Sequence, residues 1–274
     1  MGRLNSAPPG DVAPARRVVA VVGITGAGKS ATANTLAGRL HVPFASGASV
    51  TSVTRATSFR DYSFVNELWR VVDTPGLGDT NRPAADVSAE LRALATLAPH
   101  GLTAVVVVVP HGRLTGAHEA ALREVAALFG GRDALARAAV IAVTGAVDAP
   151  ADGRGLMTRD ALLGEIAALP LESYFRALCD TALVVPVENR FDPHRYYSRL
   201  ALHQAVLACE AARGGKRVDV AGFASGGAGV PTAAEELASG AGELGARDLR
   251  PCTREVIERG KARFLRIECE LRAL

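Results

Sequence analysis

The sequence predicts an α/β fold, a three-layer domain in which a mostly parallel sheet carries helices on both faces. Two observations support this class. Short apolar runs typical of buried strands alternate with segments of helical spacing from residue 17 to residue 212. A glycine-rich segment, residues 23–30, separates the first predicted strand from the first predicted helix. Ligands of such folds bind at the carboxyl ends of the strands, so functional residues are expected in the loops that follow strands.

The individual elements follow from the spacing of apolar residues. Continuous β-branched runs predict strands, and apolar residues three or four positions apart predict helices. In chain order we predict a strand at 17–22, a helix at 29–40, two strands within 59–73 with a polar turn near Asn66 and Glu67, a helix at 85–97, a strand at 104–109, a helix at 116–129, a strand at 138–144, a mostly helical segment at 161–178, a strand at 182–187 and a long helix at 195–212.

The two ends of the chain lack this alternation. Residues 1–15 are dense in proline and glycine and show no periodicity, which predicts a disordered leader. Residues 16–213 are expected to form the α/β domain. Residues 214–249 are rich in glycine and alanine and are interpreted as a linker, whereas residues 250–274 regain helical spacing. We expect this C-terminal helix to dock on its own domain or on a partner.

Composition argues against several classes of function. The 274 residues carry a formal net charge of +3, which gives no electrostatic case for a nucleic-acid partner. The longest apolar run, residues 104–109, is too short to span a membrane, so a cytoplasmic protein is expected. The four cysteines show no CxxC spacing, which predicts reduced buried thiols instead of a zinc site or disulfides. Gly2 fits the loose pattern for N-myristoylation, and a single acyl chain would anchor only marginally.

Residues 23–30 read GITGAGKS and match the phosphate-loop pattern G-x-x-x-x-G-K-[ST] between a predicted strand and a predicted helix. Glycines let backbone N–H groups approach phosphate oxygens, and the helix N-terminus adds positive potential. Lys29 is expected to reach the β- and γ-phosphates, and the Ser30 hydroxyl to ligate Mg²⁺. A glycine-rich turn without function would not explain lysine followed by serine at the start of a helix. The predicted nucleotide contacts in this segment are Gly23, Thr25, Gly26, Ala27, Gly28, Lys29, Ser30 and Ala31.

A second segment, reading DTPG from Asp73, follows another predicted strand. An aspartate at the carboxyl end of a strand is placed to hold Mg²⁺, so Asp73 is predicted to lie at the metal. The backbone N–H of Gly76 is expected to sense the γ-phosphate. Between the first helix and the next strand, Thr54 is predicted to cover the Mg²⁺, with Thr51 and Thr57 as rivals. A solvated polar loop is the alternative for these threonines.

With both motifs in place, the chain resembles the AIG1/GIMAP group of immune-associated GTPases, which are relatives of the chloroplast import receptors and the septins. The resemblance spans about residues 17–190 and is carried by GITGAGKSATANTLAG at 23–38, SVTRAT at 52–57, VVDTPGLGDT at 71–80 and HGRLTGAHEAALREVAALFGG at 111–131. It implies a P-loop NTPase G domain that binds GTP or GDP with Mg²⁺. It also implies nucleotide-dependent dimerisation across the binding face.

The base-recognition stretch departs from the family pattern. That pattern usually reads Thr-Arg-Lys-x-Asp, and residues 144–148 read TGAVD here. Asp148 is in register, and its carboxylate is expected to accept hydrogen bonds from guanine N1 and N2. The lysine whose stem would cover the base is missing, which predicts weaker base binding. The letters VENR at 187–190 resemble the second base-contacting segment, so Asn189 is a candidate contact, with a polar loop of no function as the alternative.

Hydrolysis lacks its usual water-orienting residue in this chain. Ras-type enzymes place a glutamine next to the switch glycine, and Leu77 occupies that position here. We therefore predict slow intrinsic turnover, with Thr54 at the metal and Arg113 supplied in trans by a second copy of the chain. A solvated surface arginine is the alternative for Arg113.

Two other functions stay open at this point. A nucleotide-gated scaffold would bind GTP and assemble without significant turnover, as Leu77 and the missing lysine permit. A P-loop ATPase or small-molecule kinase would keep the phosphate loop but would have no use for Asp148, and the DTPG segment counts against it.

Overall fold

The computed structural model describes residues 16–38, 44, 57–75, 84–112, 114–148, 155–190 and 194–221. Within these residues strands and helices alternate along the chain. The elements are β1 (Arg17–Gly23), α1 (Lys29–Ala37), β2 (Ser58–Phe64), β3 (Glu67–Asp73), α2 (Ala84–Leu97), β4 (Ala104–Pro110), α3 (Gly116–Leu128), α4 (Arg132–Ala138), β5 (Ala139–Thr144), β6 (Val147–Asp148), β7 (Gly155–Leu156), α5 (Arg159–Ala167), α6 (Tyr174–Cys179), β8 (Leu183–Val187) and α7 (His194–Ala212).

Six strands form one sheet in the order β2-β3-β1-β4-β5-β8, in which only β2 runs antiparallel to its neighbour. The strand β1 therefore lies between β3 and β4, with Val21 opposite Asp73 on one side and Gly23 opposite Val108 on the other. This register brings the loop after β1 and the last residue of β3 to the same edge of the sheet. The predicted phosphate loop and the aspartate predicted to lie at Mg²⁺ are thus neighbours by topology.

Helices cover both faces of the sheet, each over its own apolar cluster. Side chains from α2, α3, α4, α5 and α6 pack on one face together with residues such as Val107 and Ile141. Helices α1 and α7 pack on the other face around Trp69, Leu36 and Leu202. The strands between them are almost wholly buried, because a parallel sheet needs cover on both faces. The predicted three-layer α/β arrangement is confirmed.

Three details differ from the sequence prediction. The helix α4 was not predicted, because its seven residues are too few to show a clear helical period and run directly into β5. The segment 161–178, predicted as mostly helical, divides into α5 and α6. Pro170 lies between them, and Ser173 caps α6 by accepting a hydrogen bond from the N–H of Arg176. The small β6–β7 pair was also missed, since two-residue strands carry no periodicity.

The hairpin between β2 and β3 closes through a two-residue turn at Val65 and Asn66. Both residues have positive φ, 50° and 58°. Such turns match the right-handed twist of the two strands and usually carry asparagine or glycine. A β-branched residue in this conformation is strained, so Val65 is held there by the pairing of the strands on either side.

The chain after α7 docks on the domain through residues 216–221, which we call the strap. Val218 and Leu102 exchange two backbone hydrogen bonds of 2.8 and 2.9 Å, and Val220 is 2% exposed within the apolar cluster under α2. Gly101 permits this approach, because a Cβ there would lie 2.6 Å from the carbonyl oxygen of Val218. The docked chain thus continues eight residues beyond the predicted domain end at 213.

Ion pairs and hydrogen bonds of arginine side chains connect the strap, α7 and the amino ends of the strands. Arg17 pairs with Glu210 at 2.9 Å and also with Glu67, and Arg217 approaches Glu210 at 3.6 Å. Arg213 donates to the backbone carbonyl of Arg137 at 3.0 Å. These contacts join β1, β3, α7 and the strap at one end of the sheet.

A buried histidine lies between α7 and the β2–β3 hairpin. His203 is 1% exposed, and its Nδ1–H donates to the carbonyl oxygen of Arg199 at 2.7 Å. Its Nε2 therefore accepts from the hydroxyl of Tyr62 at 3.1 Å, while Phe64 and Trp69 surround the ring. Burial lowers the pKa of His203 to about 3, so the ring stays neutral in the fold.

The side chains of Cys179 and Cys209 are buried thiols, as predicted for these two cysteines. Burial raises the pKa of Cys179 well above its ordinary value. In the part of the chain that the structure describes, no helix combines the length and the apolar character needed to cross a membrane.

Candidate functional site

The loop between β1 and α1 depends on glycine at three positions. Gly23 has φ 137°, and a Cβ there would lie 2.4 Å from the carbonyl oxygen of Val108 in β4. Gly26 and Gly28 also have positive φ, 83° and 94°. Any other residue would be strained at these φ values, and at Gly23 it would also collide with β4. The glycines predicted from the phosphate-loop pattern therefore have a backbone reason to be present.

The start of α1 is open toward this loop. Gly28 is the residue that precedes the helix, and no side chain caps the helix N-terminus. Backbone N–H groups of the first turn have no partner within a helix and carry its positive potential, which suits an anion. Lys29 is 7% exposed, and its Nζ donates to the carbonyl oxygen of Ile24 at 2.8 Å, so the ammonium group lies inside the curve of the loop.

A hydroxyl and a carboxylate meet beside this helix start. The Oγ of Ser30 donates to Oδ2 of Asp73 at 2.6 Å, and Asp73 is 1% exposed at the end of β3. The next residue, Thr74, is tied to the carbonyl oxygen of Val21 by its hydroxyl at 2.8 Å. Two oxygen ligands of the kind that Mg²⁺ prefers are thus held next to the phosphate loop. The residues present fit a magnesium ion, which Ser30 and Asp73 would hold.

The phosphate loop is also tied to the segment predicted to recognise the base. The hydroxyl of Thr144, at the end of β5, donates to the carbonyl oxygen of Ala27 at 2.8 Å. The N–H of Gly145 donates to the carbonyl oxygen of Val187 at 3.1 Å, which joins this segment to the end of β8. Thr144 was predicted as part of the base-recognition stretch, without a role of its own. An ordinary threonine–carbonyl bond between distant segments leaves no sequence signal.

The position of the missing lysine is taken by Ala146, which is fully buried in the apolar cluster on the α2 side of the sheet. Its carbonyl oxygen accepts from the N–H of Met157 at 2.9 Å, next to the β6–β7 pair. The structure describes the backbone of Asp148, which pairs with Gly155, but it does not describe the side chain. Its contact with guanine stays a prediction.

Asn189 lies against α1. Its Oδ1 accepts from the hydroxyl of Thr35 at 2.7 Å, and its Nδ2 donates to the hydroxyl of Thr32 at 3.1 Å. These two bonds hold the loop after β8 against the first helix, close to Gly28. Asn189 thus has a definite structural role at the predicted site, and its contact with the base stays a prediction. The threonines of α1 that orient it were not singled out from the sequence.

The structure brings together most of the predicted site and omits part of it. Gly23, Thr25, Gly26, Ala27, Gly28, Lys29, Ser30, Ala31, Asp73 and Asn189 lie at the carboxyl edge of the sheet. The other predicted residues, Thr54 with its rival Thr51, Gly76, Leu77 and Arg113, lie outside the described residues.

The described residues on either side of position 113 are anchored to the domain. The N–H of His111 donates to the carbonyl oxygen of Thr144 at 2.8 Å, and its ring Nε2 lies 2.8 Å from Oε2 of Glu165 on α5. Thr115 caps α3 in a reciprocal arrangement with His118. No role was predicted for these two histidines, because no metal-ligand spacing connects them. The partner of His111 lies 54 residues away along the chain, and His118 acts in a helix cap, a position where glutamate or glutamine is usual.

Comparisons with known proteins agree on one family. The model of the AIG1 family matches residues 16–163. Immune-associated nucleotide-binding protein 7 of Arabidopsis thaliana is 38% identical over 116 residues, which cover 41% of this chain and 36% of that protein. Immune-associated nucleotide-binding protein 10 of the same plant is 29% identical over 170 residues, 61% of this chain and 32% of that protein. The chain spans about a third of the length of these relatives.

Among solved structures, the chain is similar to Toc33 from Arabidopsis thaliana in complex with GDP and Mg²⁺. The TM-score is 0.48 at 19% identity, with 74% of this chain and 88% of that chain covered.

Proposed function

The chain belongs to the AIG1 family, and on that premise we propose that it binds guanine nucleotide with Mg²⁺ and hydrolyses GTP slowly, as a switch that dimerises in the GTP state. The observation that carries this proposal is the geometry around the phosphate loop. Three glycines with positive φ shape the loop, Lys29 lies inside it, and the Ser30–Asp73 pair stands at its edge. A glycine-rich turn of purely structural origin would need neither the lysine nor the acidic partner of the serine.

In this proposal each described residue has one task. The loop N–H groups and the start of α1 bind the phosphates, and Lys29 leaves the carbonyl of Ile24 to reach their oxygens. Ser30 and Asp73 would hold the metal ion. When bound, Mg²⁺ neutralises charge that develops on the phosphate oxygens. Asp148 and the loop held by Asn189 would face the base.

The reaction itself needs a positioned water and a positive charge. Water forms a bond to the γ-phosphorus as the bond to the β–γ bridging oxygen breaks, which yields GDP, inorganic phosphate and a proton. Leu77 cannot orient that water, so the single chain should turn over slowly. Arg113 of a second copy would stabilise the charge of the transition state, and an arginine supplied in this way is worth about a thousandfold or more in related reactions.

The first experiment is equilibrium binding of fluorescent GTP, GDP and ATP analogues, with and without Mg²⁺, combined with sedimentation of the same samples. We expect GTP and GDP to bind in preference to ATP, Asp148→Ala to lose that preference, and the GTP analogue to produce dimers. Ser30→Ala should reduce the benefit of adding Mg²⁺ in the binding assay, a readout that needs no turnover. Equal binding of ATP would contradict guanine specificity and leave only a phosphate-binding loop on this fold.

The second experiment is hydrolysis measured over a range of protein concentrations. Turnover per chain should rise with concentration in the wild type and stay low in Arg113→Ala. One observation favours a second candidate function, a GTP-gated scaffold, because Leu77 stands at the position of the water-orienting glutamine. Dimers that form with GTP and show no turnover at any concentration would establish the scaffold.

A further inference from the structure

We propose that Thr32 and Thr35 of α1 are positioning residues for base recognition, because they hold the side chain of Asn189 and with it the loop at residues 188–190. The inference rests on the proposed function, in which this loop faces the base of a bound guanine nucleotide. Neither threonine would touch the nucleotide, since the two residues are 0% and 1% exposed. Their effect is on the affinity for nucleotide, through the position of the loop.

The two buried hydroxyls bind one and the same amide group. Thr32 and Thr35 lie three positions apart, so their side chains are neighbours on one face of α1. The hydroxyl of Thr35 donates to Oδ1 of Asn189 at 2.7 Å, and Nδ2 of Asn189 donates to the hydroxyl of Thr32 at 3.1 Å. The amide is thus held at both of its ends, and one N–H and one lone pair of the amide remain for a ligand.

The residues before and after Asn189 are held as well. The N–H of Glu188 donates to the hydroxyl of Ser198 at 2.8 Å, and Ser198 is fully buried on α7. The carboxylate of Glu188 accepts from the N–H of Arg190 at 2.6 Å. These bonds fix the path of the backbone relative to α7, and the Asn189 side chain adds the connection to α1.

This connection joins the base side of the site to the phosphate loop. The helix α1 begins at Lys29, directly after the phosphate loop, and Nδ2 of Asn189 lies 3.7 Å from where a Cβ of Gly28 would be. Just before the 188–190 loop, the carbonyl oxygen of Val187 accepts from the N–H of Gly145, in the stretch predicted to recognise the base. A nucleotide that contacts both sides needs them at a fixed distance, and the Asn189 amide bridges that distance.

The methyl group and the hydroxyl of each threonine can be tested separately. Valine keeps the shape of the side chain and loses the hydroxyl, whereas serine keeps the hydroxyl and loses a buried methyl group. Loss of a buried methyl group lowers the stability of the fold. A loop that spends only part of its time in the binding position lowers the affinity in proportion to that fraction. The two kinds of substitution should therefore change different quantities.

The test compares the double variants Thr32→Val/Thr35→Val and Thr32→Ser/Thr35→Ser by titration with fluorescent GTP, GDP and ATP analogues and by urea unfolding. In the valine pair, affinity for GTP and GDP and the preference for GTP over ATP should each fall roughly tenfold. Its unfolding midpoint should stay near wild type, because valine is apolar and the half-buried amide of Asn189 can bond to water. The serine pair should bind GTP like wild type and unfold at a lower midpoint. Thr96→Val, which removes a hydroxyl bond on the exposed surface of α2, is the matched control.

A double-mutant cycle determines whether the threonines act through Asn189. Asn189→Ala should lower GTP affinity roughly tenfold or more, and adding the two valines to Asn189→Ala should cause no further loss. A further loss in the triple variant would overturn the proposal.

The remaining outcomes separate the inference from the function on which it rests. If the wild type prefers GTP and the valine pair binds like wild type, the positioning role is refuted and the proposed function survives. A serine pair that loses as much affinity as the valine pair would make the threonines merely structural and also overturn the proposal. If the wild type itself shows no preference for GTP over ATP, the proposed function fails.

Discussion

The two ends of the sheet are built from the same strands and solve different problems. At the carboxyl end, glycines with positive φ shape the loop around the buried ammonium group of Lys29, where we propose that the nucleotide binds. At the amino end, the strap, the arginine contacts around Glu210 and the cluster around His203 close the domain with side chains. On the proposed function, nucleotide binding depends on the carboxyl end of the sheet, and much of the stability of the fold depends on the amino end. Substitutions at the two ends should therefore affect different measurements.

The largest effect is expected from Lys29→Ala at the carboxyl end. Removing the ammonium group should lower the affinity for GTP and GDP by roughly a thousandfold, or about 4 kcal/mol, because phosphate charge would lose its buried partner. The unfolding midpoint should barely change, since the hydrogen bond from Nζ to the carbonyl oxygen of Ile24 lies within the loop itself. Nucleotide titration and urea unfolding measure the two quantities. Lys216→Ala, an exposed lysine at the other end, should change neither, and an intact affinity in Lys29→Ala would refute the assignment.

The converse is expected when the strap is removed at the amino end. A chain ending after Arg213 should lose about 3 kcal/mol of unfolding free energy relative to one ending after Ala221, because Val220 leaves the core and the two bonds to Leu102 are broken. Urea unfolding of the two truncated chains measures the difference. Nucleotide affinity of the folded fraction should be equal in both. Equal stability of the two chains would show that the strap is dispensable.

A pH effect is expected from His203 at the amino end. Its pKa is about 3 in the fold and near 6.5 in the unfolded chain, so the unfolded state binds the extra proton as pH falls below 6.5. The stability that depends on the neutral ring is complete above pH 6.5 and is lost progressively between pH 6.5 and 3. Between pH 6.5 and 5 the loss from this residue should be about 2 kcal/mol. His203→Gln should flatten this slope in urea unfolding, and an unchanged slope would assign the effect to other groups.

The smallest effect is expected from Thr144→Val, which removes the bond to Ala27 while keeping the shape of the side chain. One uncharged hydrogen bond is worth about 1 kcal/mol, so GTP and GDP affinity should fall roughly fivefold together. Thr96→Val removes a similar bond on the exposed surface of α2 and is the control. If Thr144→Val weakens GTP but not GDP, the bond acts on the γ-phosphate side instead of on the whole loop.

Features that depend on local sequence patterns could be predicted from the sequence. The strands and the phosphate loop depend on local patterns, namely continuous apolar runs and glycines at set intervals, and both were predicted close to their observed positions. The proximity of Ser30 and Asp73 could be expected once both residues were predicted at the carboxyl edge of the sheet. Predicting these features requires only the periodicity of the sequence and the rule that ligands bind at the carboxyl ends of parallel strands.

The features that escaped prediction depend on contacts between distant parts of the chain. Thr144 contacts Ala27 across 117 residues. The strap pairs with Leu102, just before β4, through an isolated bridge at the start of a stretch that looks like a linker. Asn189 was predicted at the site, but its bonds to Thr32 and Thr35 arise only when α1 and the loop after β8 are packed together. A single sequence carries no signal for such pairs, because an ordinary threonine or valine is compatible with many partners.

The ion pair between Arg17 and Glu210 has a consequence for the order of assembly. The two residues are 193 positions apart, so the first strand of the domain meets one of its partners only after almost the whole described chain has been synthesised. Contacts of such long range form slowly, because closing the intervening chain costs entropy before any contact is gained. Until α7 arrives, the face of the sheet around Trp69 has no cover from that helix. A nascent chain of this protein should therefore depend on chaperone protection of that apolar face until α7 and the strap are available.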